Sequence, residues 1–161
     1  MTMRTMKTNF LVALSGLVLS GCVSSPPGSD GVAAEAYIPR DIATVAASCA
    51  KSNFEPAATR QLLLAQGFVE QQRPLLHQLE KFPTGAKGLT QGVTTPWAHP
   101  CRPSADARYI SASLRAAARA LVAEGFTTSD GLFFVRGPQE IRLQARGSAL
   151  GGPAEIKIEP F

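Results

Sequence analysis

The spacing of apolar residues predicts two main helices in the first three quarters of the chain. Between residues 105 and 124, apolar residues recur every three or four positions, so that Ile110 and Leu121 lie on one stripe. This segment is the strongest predicted helix, and Ser104 precedes it as a candidate N-cap. A second helix is predicted over residues 56–66, because its first residue is a proline, which a first helical turn tolerates.

The remaining segments before residue 105 have weaker patterns. Asp41 is placed to cap a short helix that ends near Cys49, and residues 75–82 are predicted to add one or two helical turns. Residues 83–103 contain three glycines and four prolines. They are therefore predicted to form a loop, with a short strand near residues 89–94.

After residue 126 the period of the pattern changes to two, which indicates β-strands. The predicted strands are Leu132–Arg136, Gln139–Arg146 and Ala154–Glu159, separated by turns that contain glycine and proline. The predicted fold class is therefore α+β, with two or three helices followed by a small antiparallel β-sheet.

The register of the last two strands is predicted from their apolar faces. The apolar positions are odd in residues 139–146 and even in residues 154–159, so opposed residues must have numbers with an odd sum. A sum of 301 places Arg142 opposite Glu159, whereas a sum of 299 places Arg142 opposite Lys157. Opposite charges that face each other contribute about 0.2–1 kcal/mol per pair, which favours the sum of 301.

The sequence Leu-x-x-x-Gly-Phe ends both main helices, at residues 63–68 and 121–126. It has two interpretations. The two segments belong to a duplicated module, or Gly67 and Gly125 are left-handed residues that close their helices while the phenylalanine folds back on the leucine. We favour the second interpretation.

The first 21 residues have the layout of a secretory signal peptide. Arg4 and Lys7 precede an apolar stretch, residues 10–19, that is about half as long as the roughly 20 residues needed to span a bilayer. Leu19-Ser20-Gly21-Cys22 follows, and this sequence resembles the lipobox of bacterial lipoprotein precursors.

The resemblance implies a lipid anchor. It implies cleavage before Cys22, attachment of diacylglycerol to its thiol, and acylation of the new amine with a chain such as palmitate. Two or more acyl chains hold a protein firmly on a membrane. Val23, rather than aspartate, follows the cysteine, which by the same resemblance implies the inner leaflet of the outer membrane, facing the periplasm.

The sequence therefore divides into three parts. Residues 1–21 are the signal peptide, residues 22–36 form a lipidated flexible tether with a root-mean-square reach of roughly 20 Å, and residues 37–161 form a single α+β periplasmic domain. Of the three cysteines, Cys49 and Cys101 remain after Cys22 is assigned to the lipid. In an oxidising periplasm this even pair is predicted to form a disulfide.

Charge narrows the choice of partners. Removal of residues 1–21 takes away Arg4 and Lys7, so the formal net charge falls from +4 to +2. This modest charge and the few aromatic residues argue against a nucleic-acid partner. Three arginines of the strongest helix lie on one stripe, which either contacts anionic headgroups or phosphates or is an ordinary solvated face. They are Arg108, Arg115 and Arg119.

No catalytic or metal site is predicted. Residues 48–51 match S-x-x-K, but the chain is too short for the fold that carries this motif and has no Lys-Thr-Gly. His77 and His99 do not have the spacing of a common metal site, and no cofactor is expected. The sequence favours a non-catalytic module that binds a partner protein or the cell wall. A small-ligand-binding or inhibitor module, and an enzyme without a recognisable motif, are the alternatives.

Overall fold

The structure, a computed structural model, describes residues 29–82, 92–147 and 153–161, with side chains from residue 36. In chain order its elements are α1 (Ser29–Lys51), α2 (Pro56–Ala65), β1 (Val69–Arg73), β2 (Leu76–Lys81), β3 (Val93–Pro96), β4 (Ser104–Asp106), a short 3₁₀ helix (Ala107–Tyr109), α3 (Ile110–Ala123), β5 (Phe133–Arg136), β6 (Gln139–Arg146) and β7 (Pro153–Pro160).

The strands form one antiparallel sheet of seven, in the order β1-β2-β3-β4-β7-β6-β5. Side chains of the helices and of one sheet face join in a single buried cluster, and α1 packs against both α2 and α3. The α+β class is confirmed. The sheet is larger than predicted, and four of its strands precede α3 instead of following all the helices.

The predictions for residues 75–106 were wrong in part. Residues 75–82, expected to be helical, contain the strand β2, which is held by hydrogen bonds to neighbours on both sides. A strand near residues 89–94 was expected, and β3 covers Val93–Pro96, while residues 83–91 lie outside the described residues. Ser104 belongs to β4 and does not cap α3, which begins at Ile110.

Helix α1 differs most from the expectation. It begins at Ser29 and continues through Pro39, so the second half of the predicted tether is helical. Asp41 was expected to cap a short helix, because aspartate is a preferred N-cap residue. Asp41 instead lies inside α1, where its side chain is buried and its Oδ1 is 3.2 Å from Nζ of Lys81.

Helices α2 and α3 end in the same way. Gly67 and Gly125 have φ angles of +86° and +89°. In each case the amide of the following phenylalanine donates a hydrogen bond of 3.1 Å to the leucine carbonyl five residues earlier. Phe68 and Phe126 are both buried. The capping interpretation of the Leu-x-x-x-Gly-Phe sequences is therefore confirmed.

The topology does not support a duplicated module. Helix α2 leads into the meander β1-β2-β3, and α3 leads into β5-β6-β7. Across the sheet, the strands of the second meander follow one another in the opposite direction to those of the first, while corresponding strands point the same way. Only a rotation about an axis parallel to the strands therefore superposes the two meanders. That rotation would place the two helices on opposite faces of the sheet. Both helices contact α1 in one buried cluster, so we interpret the two sequences as independent uses of one cap.

The predicted register of β6 and β7 is confirmed, with Arg142 opposite Glu159 and Arg146 opposite Glu155. The charge pairs that favoured it do not form ion pairs among the described residues. Glu159 instead contacts the guanidinium of Arg102. Burial of the apolar face accounts for the odd sum, since the β7 isoleucines lie opposite buried or half-buried β6 side chains.

Gly125→Ala should lower the free energy of unfolding by about 1 kcal/mol, because a Cβ strains the left-handed conformation. The added Cβ would meet nothing closer than Cδ of Arg136 at 3.8 Å, so the effect reports the backbone and not a clash. Gly147→Ala is the control, since that position has open space and an ordinary φ. Equal effects of the two substitutions in urea unfolding would contradict the assignment.

Candidate anion-binding groove

Helices α1 and α3 lie side by side and run in the same direction. At their C-terminal ends Nζ of Lys51 is 3.4 Å from Oε1 of Glu124. Toward their N-terminal ends, the pKa of Tyr37 is raised. Its burial is the largest cause, and the neighbouring Tyr109 and Asp41 contribute less. Both helices bury small residues, which are Ala46, Ala50, Ser113, Ala116 and Ala117.

On their solvent side the two helices border an open groove of about 570 Å³. Five alanines, Pro39 and three arginines line it, and the arginines are Arg40 from α1 and Arg115 and Arg119 from α3. Alanine side chains are short, so they leave a hollow beside the long arginine side chains. Among the residues whose side chains the structure describes, neither an acidic nor a large apolar residue lines the groove.

The arginines of the groove have unused hydrogen-bond donors. Arg115 and Arg119 are exposed, and neither makes a hydrogen bond or an ion pair with any residue that the structure describes. Arg40 makes a single long contact, 3.4 Å from its Nε to Oδ1 of Asp41, and that carboxylate is already paired with Lys81. A guanidinium presents donors in a planar fork that fits carboxylate and phosphate oxygens. The groove therefore has the chemistry of an anion-binding site.

Arg108, the third arginine of the predicted stripe, is not part of the groove. It binds the carboxylate of Asp106 with two hydrogen bonds, of 3.1 Å from Nε and 2.9 Å from a terminal nitrogen. Hydrogen bonds from the side chain and the amide of Arg108 lower the pKa of Asp106. Sequence reasoning thus identified two of the three groove arginines and missed Arg40, because only folding brings α1 beside α3.

The two remaining cysteines meet as predicted, with a disulfide between Cys49 and Cys101 and a Cα–Cα distance of 5.9 Å. It ties the last turn of α1 to the loop between β3 and β4. Beside it lies a second groove of about 310 Å³, lined mainly by Phe54, prolines and the end of β7. Two charged residues of this second groove, Arg102 and Glu159, pair with each other.

The other candidate residues do not converge. The ring of His77 stacks on Trp97 with centroids 4.3 Å apart, and His99 lies exposed in the following loop. Within the described ranges, no group of three or more potential metal ligands occurs. The serine and the lysine of the S-x-x-K sequence have different surroundings, because Ser48 is buried while Lys51 pairs with Glu124.

No protein-family model, curated protein or solved structure matches this chain. Among the helices that the structure describes, none has both the length and the apolar character needed to cross a membrane. Cys22 and the predicted signal peptide lie outside the described residues. The groove and the N-terminal sequence are therefore the two features on which a functional interpretation depends.

Proposed function

We propose that the protein is a non-catalytic lipoprotein of the bacterial envelope, anchored through acylated Cys22, whose domain binds an anionic partner between α1 and α3. The observation that carries the binding role is the pair Arg115 and Arg119, both exposed beside the groove and without a partner among the described residues. The signal peptide and the lipobox at residues 19–22 support the anchor.

The composition of the groove supports binding and not catalysis. Its lining consists of alanine, proline and arginine. Arginine stays protonated in proteins and has no acceptor, so it cannot act as a general base or as a nucleophile. These residues hold and orient an anion, and they offer no group that accepts a proton at physiological pH.

Cys22→Ser should abolish lipidation and leave the uncleaved precursor, because the thioether needs the cysteine thiol. We expect the wild-type protein to be shorter than its precursor by the signal peptide and to float with membranes in a density gradient. Ser24→Ala, two residues further along, is the matched control and should be processed like the wild type. Normal cleavage and acylation of the Cys22→Ser variant would overturn the proposal.

A further inference from the structure

We infer that the anion bound by the α1–α3 groove is the layer of anionic phospholipid headgroups of the same membrane that holds the Cys22 anchor. The domain then docks on that surface with Arg40, Arg115 and Arg119 against the headgroups. This inference rests on the proposed function, because the anchor brings the groove to the bilayer.

The length of chain between the anchor and the groove fits this arrangement. Helix α1 begins at Ser29, seven residues after Cys22, and seven residues span at most about 25 Å when fully extended. The groove begins at Ala36, about 10 Å further along the helix. The groove therefore lies within reach of the surface to which the anchor is fixed.

The side chains of the groove favour headgroups over the hydrocarbon interior. Arg115 and Arg119 are four residues apart on α3, about 6 Å along its axis, so they project from one side of the helix. In the described part of the lining, from Ala36 onward, no large apolar side chain could insert between acyl chains. Contact with the bilayer is thus limited to its charged surface.

Two acidic side chains of α1 and α3 that the structure describes are already paired and leave the positive charge of the groove in place. Asp41 is buried and lies 3.2 Å from Nζ of Lys81. Glu124, at the far end of α3, lies 3.4 Å from Nζ of Lys51. A surface of this kind complements anionic lipid, whose field attracts arginine and lysine at short range.

The test uses the acylated full-length product, reconstituted in vesicles of phosphatidylcholine with and without phosphatidylglycerol. A polarity-sensitive fluorophore is attached at Ser111→Cys, an exposed position four residues before Arg115. We expect its emission to shift to the blue on the anionic vesicles, and the shift to disappear in 1 M salt, where the Debye length is about 3 Å.

The double variant Arg115→Gln/Arg119→Gln should lower the ratio of docked to undocked protein about 30-fold. The control is Arg142→Gln/Arg146→Gln, which removes the same charge from β6 and should leave the ratio unchanged. Modification of the unlabelled protein by phenylglyoxal is a second measurement. Anionic vesicles should protect Arg115 and Arg119 and leave Arg142 reactive.

Flotation of the vesicles separates the two proposals. If the wild-type protein does not float with them, the anchor and the proposed function fail. If it floats while the label stays in water and Arg115 stays reactive on anionic vesicles, the anchor stands and the inference is overturned. An equal response on neutral vesicles, or an equal response to inorganic phosphate without lipid, would also overturn it.

Discussion

Replacing Cys49 and Cys101 together with alanine should lower the free energy of unfolding by about 4 kcal/mol. The disulfide closes a loop with a sequence separation of 52 residues, and removing it restores that freedom to the unfolded chain. It joins the fully buried end of α1 to the loop whose Cys101 carbonyl accepts a 3.0 Å hydrogen bond from the amide of Ile158. In the double variant, α1 and the centre of the sheet therefore lack this direct covalent link.

Urea unfolding with and without reductant measures this effect. Reductant should lower the stability of the wild-type protein to near that of the Cys49→Ala/Cys101→Ala variant, and it should leave the variant unchanged. Two free thiols in the oxidised wild-type protein, or a stability that reductant does not alter, would show that the bond does not form in solution.

Lys81→Met should lower the free energy of unfolding by about 3 kcal/mol, because it leaves the buried Asp41 carboxylate with only the longer 3.4 Å contact to the exposed guanidinium of Arg40. Asp41 is 1 % exposed, and among the described residues its Oδ2 has no hydrogen-bond partner. We place the loss at the lower end for a buried ion pair because the Lys81 side chain is 21 % exposed, which lets water reach it. Lys81 also donates a 2.9 Å hydrogen bond to the Gln66 carbonyl at the end of α2.

Two further variants separate the buried charge from the lost side chain. Asp41→Asn/Lys81→Met should be markedly more stable than Lys81→Met alone, because no uncompensated charge remains. Lys51→Met breaks an ion pair in which the lysine is 58 % exposed, and it should cost less than about 1 kcal/mol. Similar losses for Lys51→Met and Lys81→Met would mean that burial of Asp41 is not what makes its ion pair important.

The features that were predicted from the sequence depend on local patterns or on a count of residues. The glycine caps need a helix end, a glycine and a phenylalanine within six residues. The register of β6 and β7 needs two alternating strands, in which the number of each apolar position fixes the face. The pairing of Cys49 with Cys101 needs a count of cysteines and an oxidising compartment.

Of the first four strands only β3 was predicted, and only in part, because the burial of short strands does not follow hydrophobicity. They are three to six residues long, too short for a period to be established. In β2, Leu76 is 47 % exposed while Glu80 is 6 % exposed, which is the reverse of the pattern that indicates a strand. These strands form because hydrogen bonds to neighbouring strands hold them, and β4 also pairs with the distant strand β7.

Two cations that hold the helices in place were missed for the same reason. Lys81 reaches Asp41 across 40 positions of sequence. Arg136 donates hydrogen bonds of 2.9 Å to the carbonyls of both Ala50 and Glu124, at the ends of α1 and α3, and lies over the ring of Phe126. A lone basic residue in a strand gives no sign of such a role.

Only part of the groove was predicted from the sequence, because its arginines come from two helices that are distant in the chain. Arg115 and Arg119 lie on one helix, where their spacing in the sequence places them together. Arg40 joins them from another helix, and Arg108 leaves the set because it binds Asp106 two residues earlier. Helical spacing groups residues on a face, but it does not report which of them already have a partner.

Mass spectrometry of the N-terminal peptide of the wild-type protein, isolated from membranes, shows directly whether Cys22 carries the lipid anchor. We expect a peptide that begins at Cys22 and carries the mass of a diacylglyceryl thioether together with an acyl chain on its amine. An unmodified Cys22, or a mature N-terminus at another residue, would contradict it.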